Sequence, residues 1–197
     1  MWDERYADKE YVYGTEPNTF LAKHADKLNG PVLSIAEGEG RNAVFLATGG
    51  LDVLGVDGSE VGLQKAQQLA QSKGVNIHTE VADLAEFTPK ENHYGAIISI
   101  SAHLPPAIRQ RLYPLLERSL KPGGILLLEA YSEDQLGKET GGPNNIDMLM
   151  SKQKIENEFP NLHPLLLQEL DREIHEGKFH TGIASVVQFI GQKKHNK

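Results

Sequence analysis

Three short stretches of this sequence carry groups that could hold a nucleoside. The first is Ala36-Glu37-Gly38-Glu39-Gly40-Arg41-Asn42. Its glycines let the backbone come close to a ligand, and the helix that follows offers free N–H groups. The second is Val56-Asp57-Gly58-Ser59. A carboxylate there could accept both hydroxyls of a ribose, a task that needs two acceptor oxygens in fixed geometry. The third is Asp83-Leu84, placed to meet an adenine amino group. Taken singly, each has a plainer reading: a tight turn, a helix cap shared with Ser59, a turn residue. Together, at the ends of three successive strands, they favour a nucleoside site. Residues Gly38 to Ala43 also fit G-x-G-x-x-A, the dinucleotide fingerprint, so spacing alone leaves the nucleoside open.

For these groups to converge, the chain must deliver them to neighbouring strand tips. Residues 32–36 read as a short buried strand, followed by a helix over 41–48 that Gly49-Gly50 ends. Residues 53–56 form a second strand. Ser59 is a good N-cap for a helix with Leu63, Ala66 and Ala70 inward and Gly74 at its far end. Residues 75–81 and 96–100 read as the third and fourth strands. Pro105-Pro106 opens a helix carrying Ile108 and Leu112, which Pro114 should kink or restart by removing a backbone donor. The apolar run 125–129 suits a fully buried strand. Ahead of all this, a helix starting near Pro17 presents Phe20, Leu21, Ala25 and Leu28 and stops at Asn29-Gly30-Pro31.

Apolar strands alternating with helices imply βαβ units and a parallel sheet. The end of the chain differs. Residues 165–174 and 183–190 are strand-like, and the link between them is too short for a crossover helix, so they form an antiparallel hairpin. The expected fold is a doubly wound α/β domain over residues 1–197, with a mostly parallel seven-stranded sheet and an antiparallel C-terminal hairpin. Residues 1–30 would supply an N-terminal lid and helix.

Composition narrows the function. A chain of 197 residues, 39% hydrophobic and 24% charged, can bury one α/β core. A net charge of −7 argues against a nucleic-acid binder, which needs a basic stripe, and Lys193-Lys194 reads as a solvated tail. With no cysteine, a disulfide framework, a thiolate metal site and a cysteine nucleophile are all excluded. None of the eight histidines pairs with another at i, i+4 on an expected helix, so no metal site is expected. No apolar run approaches the ~20 residues that span a bilayer, and Met1 to Arg5 lacks a signal-peptide layout. A soluble, cytoplasmic protein without a membrane partner is expected.

Several of these pieces resemble class I S-adenosylmethionine (SAM)-dependent methyltransferases, and within them the tellurite-resistance and thiopurine methyltransferase-like branch. They are Trp2 through Tyr6, Tyr13-Gly14-Thr15-Glu16-Pro17-Asn18, Val32 through Asn42, Val56 through Ser59, Val81 through Leu84 and Leu120 through Gly124. Thr140-Gly141-Gly142-Pro143 and Glu176-Gly177 with His180 and Gly182 resemble that branch more narrowly. The resemblance implies SAM as cofactor. Gly38 and Gly40 would flank its methionine end, Asp57 would hold the ribose, Asp83 with Leu84 the adenine, and Ser101 would face the sulfonium; Glu37, Arg41, Gly58 and Ser59 are further cofactor-binding candidates. The chain departs from the pattern at Ser34, where a carboxylate is common, at Ala36, which replaces a glycine, at Glu37, where Cys is frequent, and at Gly95, which replaces an Asp. Glu37 is the candidate to replace the lost carboxylate toward the SAM ammonium.

The acceptor implied is a small molecule, with thiols and chalcogen oxyanions foremost. Methyl transfer from a sulfonium needs alignment, excluded water and, for a hard nucleophile, a base. His103 and His180 are the candidate catalytic residues, both expected at the carboxyl-end face of the sheet. Trp2, Tyr6, Tyr11 and Tyr13 could lid the cofactor or simply pack the N-terminal segment. The glycine-rich stretch 135–145 could be a substrate loop or only a long surface connection, and Arg172 could contact an anionic substrate but reads first as a solvated strand residue. Two other readings stand beside this one: a non-enzymatic SAM-binding protein, and a nicotinamide-linked enzyme. The terminal hairpin and Asp83 oppose the second.

Overall fold

A computed structural model of the chain describes residues 1–196. The elements run α1 (Trp2–Tyr6), α2 (Thr19–His24), β1 (Val32–Ile35), α3 (Arg41–Thr48), β2 (Val53–Asp57), α4 (Glu60–Ser72), β3 (His78–Val81) and β4 (Tyr94–Ile100). They continue with α5 (Pro106–Ser119), β5 (Leu120–Tyr131), α6 (Lys152–Glu158), β6 (Leu162–Glu176) and β7 (His180–Lys193). The seven strands make one sheet in the order β3-β2-β1-β4-β5-β7-β6. The first five strands pair in parallel. β7 lies antiparallel between β5 and β6. The doubly wound sheet with a terminal hairpin is therefore the architecture.

Alternation along the strands explains the two layers. Leu33, Ile97, Leu126 and Leu128 face one way, toward Leu112 and Leu116 of α5 and Ile155 of α6. Val32, Ala96, Ile98 and Leu127 face the other, toward α3 and α4 through Val44, Leu46, Ala66 and Leu69. Strands buried on both faces must be apolar throughout, as β1, β4 and β5 largely are.

Two expectations need correction. Residues 75–77 do not join β3, because the Val75 N–H turns back to the Ala70 carbonyl (3.0 Å) and completes the end of α4. Nor does Pro114 interrupt α5, which is helical throughout. Pro114 and Gln110, whose carbonyl loses its partner, both face solvent, where water can satisfy that carbonyl. The departure at Gly95 also has a steric cause: a Cβ there would lie 2.5 Å from the Asn29 carbonyl oxygen.

The chain moves outward from β1 to β3, then returns to place β4 on the other side of β1. Strand order reverses there, and an open α/β sheet forms its ligand crevice at the carboxyl ends flanking such a switch.

Candidate active site

A cavity of about 970 Å³ opens at that position. It is large for a single ligand site. Its lining includes Glu37, Gly38, Arg41, Asp57, Gly58, Asp83, Leu84, Ser101, His103 and His180, so ten of the residues singled out in the sequence meet around one space. Gly40 and Ser59 are not among the lining residues. Gly40 stands behind the loop as the N-cap of α3, and the Ser59 hydroxyl caps α4 by accepting the Gly62 N–H at 3.0 Å.

The bend after β1 is built by its own side chains. Ala36 takes a left-handed φ of 51°, keeping the turn that a glycine would make at a cost of order 1 kcal/mol. Asp57 Oδ2 accepts the Gly38 N–H at 2.8 Å, and Oδ1 accepts the Ser59 N–H at 2.8 Å. The tip of β2 thus fixes the bend of β1, while each carboxylate oxygen keeps a further lone pair. Burial pushes the Asp57 carboxyl up, and those two donors work against the rise.

Glu37 lines the cavity and is also held by the bend itself. Its Oε1 accepts the Ala43 N–H of α3 at 2.7 Å, and Oε2 is bonded by the Ser34 hydroxyl. The side chain turns into the bend and caps α3, with one bond accepted on each oxygen. Burial raises its carboxyl to about 7, against the pull of Ser34 and Ala43.

The other end of the cavity is formed by the hairpin tip and the loops after β4 and β5. The last residue of β6, Glu176, faces the first of β7, His180, across a three-residue turn. His180 Nδ1 is buried, makes no hydrogen bond among the described residues, and lies 3.9 Å from Glu176 Oε2. Burial opposes ionisation of Glu176, but the nearby His180 and the Arg41 and Arg172 cations prevail and hold it at about 2. Arg41 Nη2 donates to Glu176 Oε2 at 3.1 Å. Arg172 bonds Glu129, and the Asn18 amide donates to Glu129 (3.0 Å) and Glu176 (2.9 Å). Arg172 therefore belongs to a largely buried ion network rather than a solvated face.

His103 also borders the cavity, but its Nε2 accepts the Tyr131 N–H at 3.1 Å. Burial, with His180 beside it, lowers its pKa to about 3. A ring held neutral, with that lone pair engaged, is poorly placed to take a proton from a substrate.

The N-terminal segment closes the front. Trp2, Tyr6 and Tyr13 line the cavity, whereas Tyr11 turns away and donates to the Lys65 carbonyl at 3.2 Å. Glu39 accepts the Val12 N–H at 2.8 Å and pairs with Lys65. The Val12 carbonyl takes the Lys178 N–H at 3.1 Å. Gly177 is required at that contact: its φ is 74°, and a Cβ would lie 2.0 Å from the Val12 oxygen.

One buried donor beside the glycine bend remains without a partner. Arg41 lines the cavity, and its buried Nη1 has no hydrogen bond among the described residues. It fits a carboxylate, Asp57 fits a ribose, and the Asp83-Leu84 corner fits an adenine edge. The residues present suit SAM. Among the described residues no cluster of metal-ligating side chains occurs.

Residues 32–124 match the family described as a methyltransferase domain. A curated relative, the 2-heptyl-1-hydroxyquinolin-4(1H)-one methyltransferase of Mycobacteroides abscessus, is 26% identical over 134 residues. That alignment covers 66% of this chain and 59% of the relative. Two solved structures share the fold. One, from work on the conversion of a disulfide bond into a thioacetal group during echinomycin biosynthesis, has a TM-score of 0.76 at 18% identity, covering 100% of this chain and 92% of that one. The other, TehB from Haemophilus influenzae, has a TM-score of 0.74 at 17% identity, covering 98% of this chain and 66% of that one.

The matched stretch, residues 32–124, contains the glycine bend, Asp57, Asp83 and His103. His180 and Glu176 lie outside it, on the terminal hairpin. No helix among the described residues is long and apolar enough to cross a membrane.

Proposed function

We propose that this protein is a SAM-dependent methyltransferase acting on a small molecule, with residues 1–197 working as one domain and 1–30 as its lid and first helix. The observation that carries the reading is the single cavity where Asp57, Asp83-Leu84, Ser101 and Arg41, whose buried Nη1 has no partner among the described residues, meet. Arg41 would hold the carboxylate of the methionine end, Asp57 the ribose hydroxyls and Asp83 with Leu84 the adenine, Gly38 and Gly58 letting the backbone close in. Ser101 would face the sulfonium region. Bound there, SAM supplies an electrophilic methyl group. The protein aligns the acceptor with it and excludes water. Trp2, Tyr6 and Tyr13 close the front of the cavity, where aromatic faces favour a sulfonium by about 0.5–2 kcal/mol. A cytoplasmic setting belongs to this reading, on the sequence grounds given above.

Two sources point to an acceptor. Resemblance to the tellurite-resistance and thiopurine branch points to a thiol or a chalcogen oxyanion. The relative named for 2-heptyl-1-hydroxyquinolin-4(1H)-one points to an acidic hydroxyl on a flat ring.

Release of S-adenosylhomocysteine tests the activity. The protein should form it from SAM with at least one acceptor in a panel of hydroxyl, thiol, selenite and tellurite compounds. Tight SAM binding with no release across that panel would favour the non-enzymatic alternative. The ribose assignment has its own test. Asp57→Ala should weaken SAM binding by about 1.5–3 kcal/mol, a roughly 10- to 150-fold rise in Kd by calorimetry. An unchanged Kd would displace the ribose from β2.

A further inference from the structure

We infer that the acceptor is a flat, largely apolar molecule bearing a weakly acidic hydroxyl, and that the Glu176–His180 pair removes its proton. The inference rests on the reading of the cavity as a SAM site, with the acceptor occupying the end away from Asp57 and Asp83.

The loops after β4 and β5 and the hairpin turn contribute several apolar side chains to the lining, beside Glu139 and Lys178. Leu104 and Ile108 come from the region after β4, Pro143 and Met148 from the region after β5, and Phe179 from the hairpin turn. Its cations are already engaged. Lys178 pairs with Asp8 (3.3 Å) and Glu10 (3.2 Å). Arg5 bonds the Tyr13 hydroxyl at 3.1 Å and lies over the rings of Trp2 and Phe179 at 4.9 and 5.1 Å. Arg41 is shared between Glu176 and the methionine carboxylate. A compact, fully charged oxyanion would be desolvated here with no protein cation free to pair with it, which is costly. A neutral, apolar body would not.

The second observation is the pair itself. A soft thiol needs little help from a base, so a carboxylate–imidazole pair at this position points to a harder oxygen nucleophile. Glu176 is fixed from three sides by Asn18, Arg41 and Arg172. His180 is held between the Tyr13 ring, 4.6 Å away, and the Tyr131 ring, 5.3 Å away. His103 stacks on the Tyr131 ring at 5.2 Å. With the Nδ1 edge toward Glu176, the tautomer protonated at Nδ1 leaves the Nε2 lone pair for the acceptor, the orientation logic of a carboxylate-steered histidine. The acceptor O–H then breaks with its proton passing to Nε2. The oxygen pair forms the new bond to the methyl carbon, and the carbon–sulfur bond breaks with its electrons returning to sulfur as a thioether. The imidazolium passes its proton to water. His180 is thus a catalytic residue and Glu176 a positioning residue.

The direct test needs no turnover. 4-Nitrophenol, whose phenolate absorbs in the visible, is titrated into the protein saturated with S-adenosylhomocysteine. The native protein should shift the bound dye toward phenolate, His180→Gln should abolish that shift, and Glu176→Gln, which keeps an oxygen for Asn18, should reduce it. In turnover with SAM, His180→Gln should lower kcat for a phenolic acceptor by about 10²- to 10⁴-fold and for a thiol acceptor by less than tenfold, with SAM affinity retained. Equal losses for both acceptors, no dye shift in the native protein, or faster turnover of thiol or tellurite than of any hydroxyl compound would overturn the inference. Failure of SAM itself to bind would remove the underlying reading, a result that calorimetry separates from the others.

Discussion

Replacing Lys65 by methionine should cost the fold about 3–5 kcal/mol, the range for leaving one partner of a buried ion pair alone. Lys65 lies on α4 with its ammonium paired to Glu39, whose carboxylate is nearly inaccessible. The same ammonium donates to the backbone carbonyls of Tyr6 (3.4 Å), Asp8 (2.9 Å) and Glu10 (2.7 Å). One side chain therefore ties the N-terminal segment both to α4 and, through Glu39 and Val12, to the glycine bend. Thermal unfolding should fall by roughly 6–20 °C for a chain of this size. The first thirteen residues should also become the preferred site of proteolysis. Adding Glu39→Gln should recover part of the loss, because the amide still accepts the Val12 N–H and no buried charge stays uncompensated. If the double variant is no more stable than Lys65→Met alone, the Lys65–Glu39 contact is not what holds the segment.

Glu37→Gln should stabilise the protein in a pH-dependent way. The Glu37 carboxyl sits at about 7 in the folded chain against an ordinary 4.5. Between those values the folded state holds a proton that the unfolded state has released, so stability falls as pH rises through the window and levels off above it. The full difference is about 3 kcal/mol. His103 has the opposite sign over part of that range. It is held down at about 3 from 6.5, so the unfolded state binds the extra proton and stability is lost as pH falls. Comparing variant with native protein cancels His103. The glutamine can accept the Ala43 N–H and donate to Ser34, keeping the α3 cap. The stability gain from Glu37→Gln, measured by denaturant unfolding, should therefore grow by about 3 kcal/mol from pH 4.5 to pH 8. A constant offset across that range would show that Glu37 ionises normally in the folded chain.

Strand tips and glycines were readable because local rules govern them. Apolar runs with helix caps between them fix β1, α3, β2 and α4, and parallel pairing then carries Asp57 and the glycine bend to one edge. The short link before His180 was enough to imply the antiparallel hairpin. The charged interior was not readable. Arg172 and Glu129 lie 43 residues apart in sequence, and Asn18 and Glu176 lie 158 apart, so no periodicity connects them. They meet only because β7 inserts between β5 and β6 and carries the hairpin tip back to the crevice. His103 and His180 looked equivalent in the sequence. Their difference depends on one backbone N–H, from Tyr131, which occupies a nitrogen of the first and leaves the second free. Glu37 shows the same limit: its bonds to the Ser34 hydroxyl and the Ala43 N–H could not be read from its position in the sequence.

Everything proposed for this cavity depends on an adenosyl sulfonium lying across β1, β2 and β3. Calorimetric titration of the native protein with SAM and, separately, with NAD⁺ addresses that dependence most directly. One SAM should bind per chain and NAD⁺ should not bind. Saturable NAD⁺ binding with no heat from SAM would contradict the account and return the glycine bend to the dinucleotide reading.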